Sequence, residues 1–414
     1  MGKPGCLLAS TLLRKQHVSQ YAAVQHNGVS VALFPDFLAK AKALTIQGKL
    51  MDATRAIQQG LGFRPAGHPG TAEPVVHRET HESTAQVRAA FTPAAVDQAA
   101  TDVEFRETTR HAPDIKVPSP PLPTQPSSRP SSFGLHNFEQ GQRGYAYRLF
   151  VPGRVDDSPI PLVVMLHGCK QDSGDFANGT AMNEIAEREK FMVLYPEQPR
   201  TANSMGCWNW FDPAHQARDR GEPAMIAALT QHVASTNGVD PARIYVAGLS
   251  AGAAMAAIMG QLYPEIFAAV GVHSGLAPGA AHSVASAFAA MSKGPGPRAK
   301  TQAIGIPVII FQGSGDSTVA QANADAIIRS ELAEWSSKGS ALVENRQSVD
   351  AAGKRPSTTA LWSDAAGKSI IESWTIDAGP HAWSGGHASG SFTDPTGPSA
   401  TRAMVEFFRR HARG

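Results

Sequence analysis

Ile244-Tyr245-Val246-Ala247-Gly248-Leu249-Ser250-Ala251-Gly252 is the stretch on which the reading of the fold turns. Its first four residues are apolar and predict a buried strand. Ala251 to Leu262 is rich in small apolar residues and predicts a buried helix. Between them, Gly248 to Gly252 matches G-x-S-x-G, a sharp strand-to-helix turn with an exposed serine hydroxyl. Residues two before and two after the serine crowd together there, so both must be small. The helix start at Ala251 adds backbone N–H groups and the positive end of a dipole near developing negative charge. A bare match also occurs by chance in glycine-rich turns, but the strand before and the helix after argue against that. The window Ile244 to Pro264 carries no charge and has about the length of a membrane span. Strand, turn and helix account for it better.

Strands and helices alternate on both sides of this turn. Tyr145–Val151, Leu162–Leu166, Phe191–Tyr195, Phe267–His273, Val308–Gln312 and Ile370–Ile376 read as strands. Gly174–Arg188, Pro223–Ser235, Ala320–Ser337 and Ser399–His411 read as helices. The alternation predicts an α/β fold with a mostly parallel sheet covered on both faces. Chemistry in such sheets gathers at the carboxyl ends of the strands.

A serine hydroxyl is a weak nucleophile and needs a base oriented by a carboxylate. The expected chain order is Ser, acid, His. Asp316 follows the strand Val308–Gln312 and His381 follows the strand Ile370–Ile376, so Ser250, Asp316 and His381 form the candidate triad. Asp377 is the rival acid, but it lies too near His381 in sequence to reach it from another loop, and Asp325 falls on a helix. Two N–H donors are needed for an oxyanion: Ala251 from the turn, and Cys169 from the loop Leu166-His167-Gly168-Cys169-Lys170-Gln171. His167 and His273 read as packing histidines, since no step needs a second base.

Several ordered motifs now form a pattern. His167-Gly168-Cys169-x-Gln171, Cys207-Trp208-Asn209-Trp210-Phe211, Gly221-Glu222-Pro223, Asp240-x-x-Arg243 leading into the serine turn, and His381-Ala382-Trp383-Ser384-Gly385-Gly386 resemble the poly(3-hydroxybutyrate) depolymerase family of esterases. That family is related to feruloyl and acetylxylan esterases. The resemblance covers about residues 135 to 411. It implies an α/β-hydrolase fold, the Ser250–Asp316–His381 triad, cleavage of carboxylic esters without a cofactor, and a polyester or small ester as substrate. It also implies that Cys169 and Cys207 pair, pinning the Trp208 loop beside the oxyanion loop; two buried thiols are the alternative. Trp208 and Trp383 are candidate apolar walls for the substrate, with loop packing as their other reading, equally so for Trp210. Gln312 stands where many members have His, and Pro380 precedes the histidine; neither removes a triad group. Feruloyl or acetylxylan esters are the first alternative substrates. A non-catalytic binding protein on a hydrolase fold is the alternative of another class, and the intact triad argues against it.

Composition is consistent with this reading. In 414 residues, 42% are hydrophobic, and 37 basic against 35 acidic residues leave a net charge of +2. That balance gives no support to nucleic acid or an anionic membrane as partner. Three cysteines without clustered spacing suggest neither a disulfide scaffold nor a zinc site. Residues 1–62 are expected to hold a helical hairpin, with apolar residues at helical spacing from Leu38 to Leu61. Residues 63–134 end in a Pro/Ser-rich run and are expected to be a linker, leaving 135–414 as the hydrolase domain. The apolar run Cys6 to Leu13 is followed, not preceded, by Arg14 and Lys15, so no export signal is recognised. That absence points to the cytoplasm, whereas the family resemblance and a disulfide point to an oxidising, extracellular setting.

Overall fold

The structure is a computed structural model and describes residues 129–154 and 156–414. The hairpin expected over 1–62 and most of the expected linker lie outside the described residues.

A ten-stranded sheet organises the chain in the order β1-β2-β4-β3-β5-β6-β7-β10-β9-β8. Its centre is parallel: β4 (Met192–Pro196), β3 (Ile160–Leu166), β5 (Val239–Leu249), β6 (Ala269–His273), β7 (Val308–Gly313) and β10 (Ser369–Ile376). Antiparallel strands flank it: β1 (Ser132–Gln140) and β2 (Arg143–Val151) on one side, β9 (Ser357–Ser363) and β8 (Val343–Val349) on the other. Alternating side chains send each central strand into two cores. Leu162, Val164 and Leu166 of β3, with Ile244 and Val246 of β5, enter one core. Val163 and Met165, with Tyr245, Ala247 and Leu249, enter the other. The first core is closed by α3 (Gly221–Thr236), α4 (Ala251–Leu262), α5 (Val284–Lys293) and α6 (Ala322–Ser337). The second is closed by α1 (Ser173–Thr180), α2 (Met182–Glu189) and α7 (Ala400–Arg409). This is the α/β-hydrolase arrangement.

The segment Ile244 to Pro264 forms the end of β5 and the helix α4, and no described helix is long and apolar enough to cross a membrane. The helix expected over Gly174–Arg188 is two helices. Ala181 takes a left-handed conformation (φ 50°) between them, and the Thr180 carbonyl accepts the Thr401 hydroxyl at 2.6 Å. β1, β8, β9 and α5 were not expected from the sequence, nor were the 3-10 turn Pro213–His215 and the short paired strands Trp383–Ser384 and Thr393–Asp394. β1 starts at Ser132, before the boundary expected at residue 135, and Arg129 bridges to Arg154.

Candidate active site

Ser250 sits between the end of β5 and the start of α4 with φ 58° and ψ −118°. Such backbone costs a non-glycine residue about 1–3 kcal/mol and persists only where its surroundings impose it. The neighbours do so here. A Cβ on Gly248 would meet the Gly252 carbonyl carbon at 2.4 Å, and one on Gly252 would meet the Leu166 oxygen at 2.0 Å. Only glycine at both positions lets the turn close on β3. The Ser250 N–H donates to the His273 carbonyl at 2.9 Å, fixing the turn to the neighbouring strand.

Asp316 follows β7 and His381 follows β10, and these strands are paired in the sheet. The two loops pack backbone against backbone: a Cβ on Gly313 would meet the Gly379 oxygen at 2.1 Å, and the Gly315 N–H donates to the Gly379 carbonyl at 3.1 Å. This brings the side chains together. His381 Nδ1–H donates to Asp316 Oδ2 at 2.7 Å, while Asp316 Oδ1 accepts the N–H groups of Thr318 and Val319, both at 2.8 Å. Burial works to raise the Asp316 pKa, but the His381 hydrogen bond and charge and the two backbone donors outweigh it and hold the carboxyl below its ordinary value. Asp316 therefore stays ionised and fixes the imidazole tautomer, leaving Nε2 free of the proton. Gln312, where the family pattern has His, lies 3.3 Å from Asp316 Oδ2 through Nε2 and donates to the Val319 carbonyl at 2.8 Å. Asp377 is exposed, and the His381 Nδ1 is committed to Asp316.

His273 ends β6, between the strands of Ser250 and Asp316. Its ring stacks on Phe311 and Trp383, and its Nε2 accepts the Ser384 N–H at 3.0 Å. Burial, reinforced by the charge of nearby His381, pushes its pKa down to about 3. It is a neutral prop that holds Ser250 through its carbonyl and the His381 loop through its ring. His167 is likewise buried; its Nε2 accepts the Gln198 N–H at 3.1 Å, and burial lowers its pKa. Both histidines are buried, with Nε2 accepting a backbone N–H.

The loop after β3 runs against the serine turn. Cys169 is disulfide-bonded to Cys207, with their Cα atoms 4.2 Å apart, and the Lys170 N–H donates to the Met205 carbonyl at 2.8 Å. Among the described residues, neither the Cys169 nor the Ala251 N–H donates to a backbone acceptor outside regular structure. The two expected tryptophan walls need correction. Trp208 is 0% exposed and packs on His167, and Trp383 is 1% exposed, edge-on to Phe176, with its indole N–H on the Thr401 hydroxyl. Neither ring presents surface to a substrate, because both loops fold inward onto the sheet's cores. Trp210 is also in the core.

One group was missed as a functional support. Glu222, at the start of α3, is buried and accepts the Asn209 N–H at 2.7 Å and its side-chain amide at 2.6 Å. Burial raises its pKa, against the opposing pull of His215 and these donors. It anchors the Trp208 loop from beneath; the motif Gly221-Glu222-Pro223 was the only sequence sign of it. A groove of 960 Å³ between residues 295–305 and α6 contains no histidine and none of these groups.

The family model described as Esterase PHB depolymerase matches residues 145–336. Poly(3-hydroxyalkanoate) depolymerase C of Paucimonas lemoignei is 31% identical over 240 residues, covering 53% of this chain and 54% of that protein. Feruloyl esterase B of Neurospora crassa is 32% identical over 139 residues, covering 33% of this chain and 46% of that protein. The chain thus spans about half the length of these relatives. The acetyl xylan esterase from Aspergillus awamori shares the fold, with a TM-score of 0.51 at 19% identity, over 67% of this chain and 99% of that one. Residues 145–336 are thus similar to the domain that the family model described as Esterase PHB depolymerase represents.

Proposed function

We propose that this chain is a serine hydrolase of carboxylic esters, acting on aliphatic 3-hydroxyacyl esters such as 3-hydroxybutyrate oligomers or polyester. The observation that carries the reading is the Asp316–His381 pair, at 2.7 Å, on loops at the same sheet edge as the strained Ser250 turn. In the first half-reaction His381 Nε2 takes the Ser250 proton as Oγ attacks the ester carbonyl. The N–H groups of Cys169 and Ala251 receive the oxyanion, and His381 returns the proton to the departing alcohol. Water, activated by the same imidazole, then hydrolyses the acyl-enzyme. Asp316 holds the imidazolium in place throughout.

The 3-hydroxyacyl preference rests on the family match and on the longer stretch shared with the depolymerase of Paucimonas lemoignei. The relative named feruloyl esterase B supports a second reading, a feruloyl or acetyl esterase of the same mechanism. The test is kcat/KM on a 3-hydroxybutyrate trimer against methyl ferulate and an acetylated xylan. A clear preference for ferulate or acetyl groups promotes the second reading, and no hydrolysis of any 3-hydroxyacyl ester retires the first. The Cys169–Cys207 bond supports an oxidising compartment as the place of work.

A further inference from the structure

We propose that Gln171 is a positioning residue for the Cys169 N–H, and that through Asp175 and Ser391 it ties this donor to the loop that carries His381. The inference rests on the esterase reading above. The Cys169 N–H belongs to the peptide unit whose carbonyl is that of Gly168. A trans peptide is planar, so whatever fixes that carbonyl aims the N–H in the opposite direction. Two donors fix it: the Gln171 backbone N–H at 3.3 Å and His167 Nδ1–H at 2.9 Å. The preceding peptide unit is held by the same residue, since Gln171 Oε1 accepts the Gly168 N–H at 3.0 Å. Gly168 itself runs close to the serine turn, where a Cβ would meet the Leu249 oxygen at 3.4 Å.

The other end of the Gln171 amide reaches across the fold. Nε2 donates to Asp175 Oδ2 at 2.9 Å and to the Ser391 carbonyl at 3.1 Å. Asp175 in turn accepts the Ser391 N–H at 2.8 Å and the Ser391 hydroxyl. Ser391 lies downstream of His381, and the next residue, Phe392, accepts the Trp383 N–H through its carbonyl at 2.7 Å. A buried side chain thus accepts from the oxyanion loop and donates to the histidine-side loop. An amide carries both roles at once from its two ends, whereas a carboxylate lacks the donor and an ammonium the acceptor.

The test uses the full chain, with p-nitrophenyl butyrate as substrate and butylboronic acid as the tetrahedral analogue. Gln171→Met keeps length and removes the bonds. It should lower kcat by about 10²-fold, the loss typical of a weakened oxyanion donor. KM should stay within about two-fold, and the boronate should weaken about in step with kcat/KM, as expected for a contact made only at the tetrahedral stage. Gln171→Glu sets two carboxylates face to face and should lose as much. Combining it with Asp175→Asn exchanges donor and acceptor between the two positions and should recover at least about ten-fold of the loss, the coupling of groups in direct contact. That pair carries the test if the methionine variant does not fold. A kcat within about three-fold of wild type in both single variants would overturn the proposal, as would a kcat loss with unchanged boronate affinity, or no recovery in the pair. A wild-type chain that neither cleaves the ester nor binds the boronate would instead overturn the esterase reading on which it stands.

Discussion

Replacing Ser250 with alanine should leave the fold intact, because its left-handed backbone is imposed by Gly248 and Gly252 packing against β3. Circular dichroism should be unchanged while kcat falls by about 10³-fold or more, since triad members act as a unit; residual activity above about a tenth of wild type would remove Ser250 from the chemistry. Asp316→Asn should be nearly as damaging, because it loses the acceptor that fixes His381 Nδ1–H, whereas Asp377→Asn, on an exposed side chain, should be mild. The reverse order would move the carboxylate role. His273 gives a pH dependence with a definite sign. Its folded pKa of about 3 lies below the ordinary histidine value, so the unfolded chain binds the proton first as pH falls. Its contribution to stability is complete above about pH 6.5 and is lost at about 1.4 kcal/mol per pH unit below that, until the folded pKa is reached. Asp316, also lowered, adds acid lability only below the ordinary carboxylate range. Melting temperatures between pH 7 and 4 should therefore fall, and His273→Gln should flatten the slope; an unchanged slope would show that His273 is not held neutral. The positions of Ser250, Asp316 and His381 were legible because each follows an apolar strand, so the sheet's edge collects them. The tryptophans were not: a loop's composition does not reveal which side of the ring faces the core.

The loop after β3 and the Trp208 loop are joined by one covalent bond, and the buried carboxylate of Glu222 holds the second of them through Asn209. The Cys169–Cys207 disulfide closes a sequence separation of 38. A loop of that size contributes about 4 kcal/mol by the chain-entropy estimate. Replacing both cysteines with serine should lower the denaturation midpoint accordingly and reduce kcat more than it raises KM, because the Cys169 N–H is the proposed oxyanion donor. Unchanged kcat would separate the disulfide from the site. Edge elements were the least legible part of the fold. β8, Val-Glu-Asn-Arg-Gln-Ser-Val, is almost wholly exposed and has no apolar alternation to read; its strand form comes from pairing with β9. β1 resembles the preceding Pro/Ser-rich run in polarity and exposes Leu135 at 61%, so its pairing with β2, not a buried face, makes it a strand. Central strands, buried on both faces, were read from their apolar runs because burial there is what selects the residues.

The arrangement of the chain as linker and hydrolase is a proposal that truncation can check. A chain beginning at residue 129 keeps the Arg129–Arg154 bridge and all of β1, and it should remain soluble and hydrolyse small esters with kcat close to that of the full chain. Aggregation or loss of activity on soluble esters would make residues before 129 part of the hydrolase core. Two cores on opposite faces of one sheet, with every proposed reacting group at one edge, call for a single reactive serine per chain. The most direct measurement is titration of the full chain with a fluorophosphonate, followed by peptide mass spectrometry and a parallel assay of ester hydrolysis. One adduct per chain is expected, on Ser250, with hydrolysis disappearing in proportion to labelling. An adduct on another residue, or hydrolysis that persists once Ser250 is fully labelled, would contradict it.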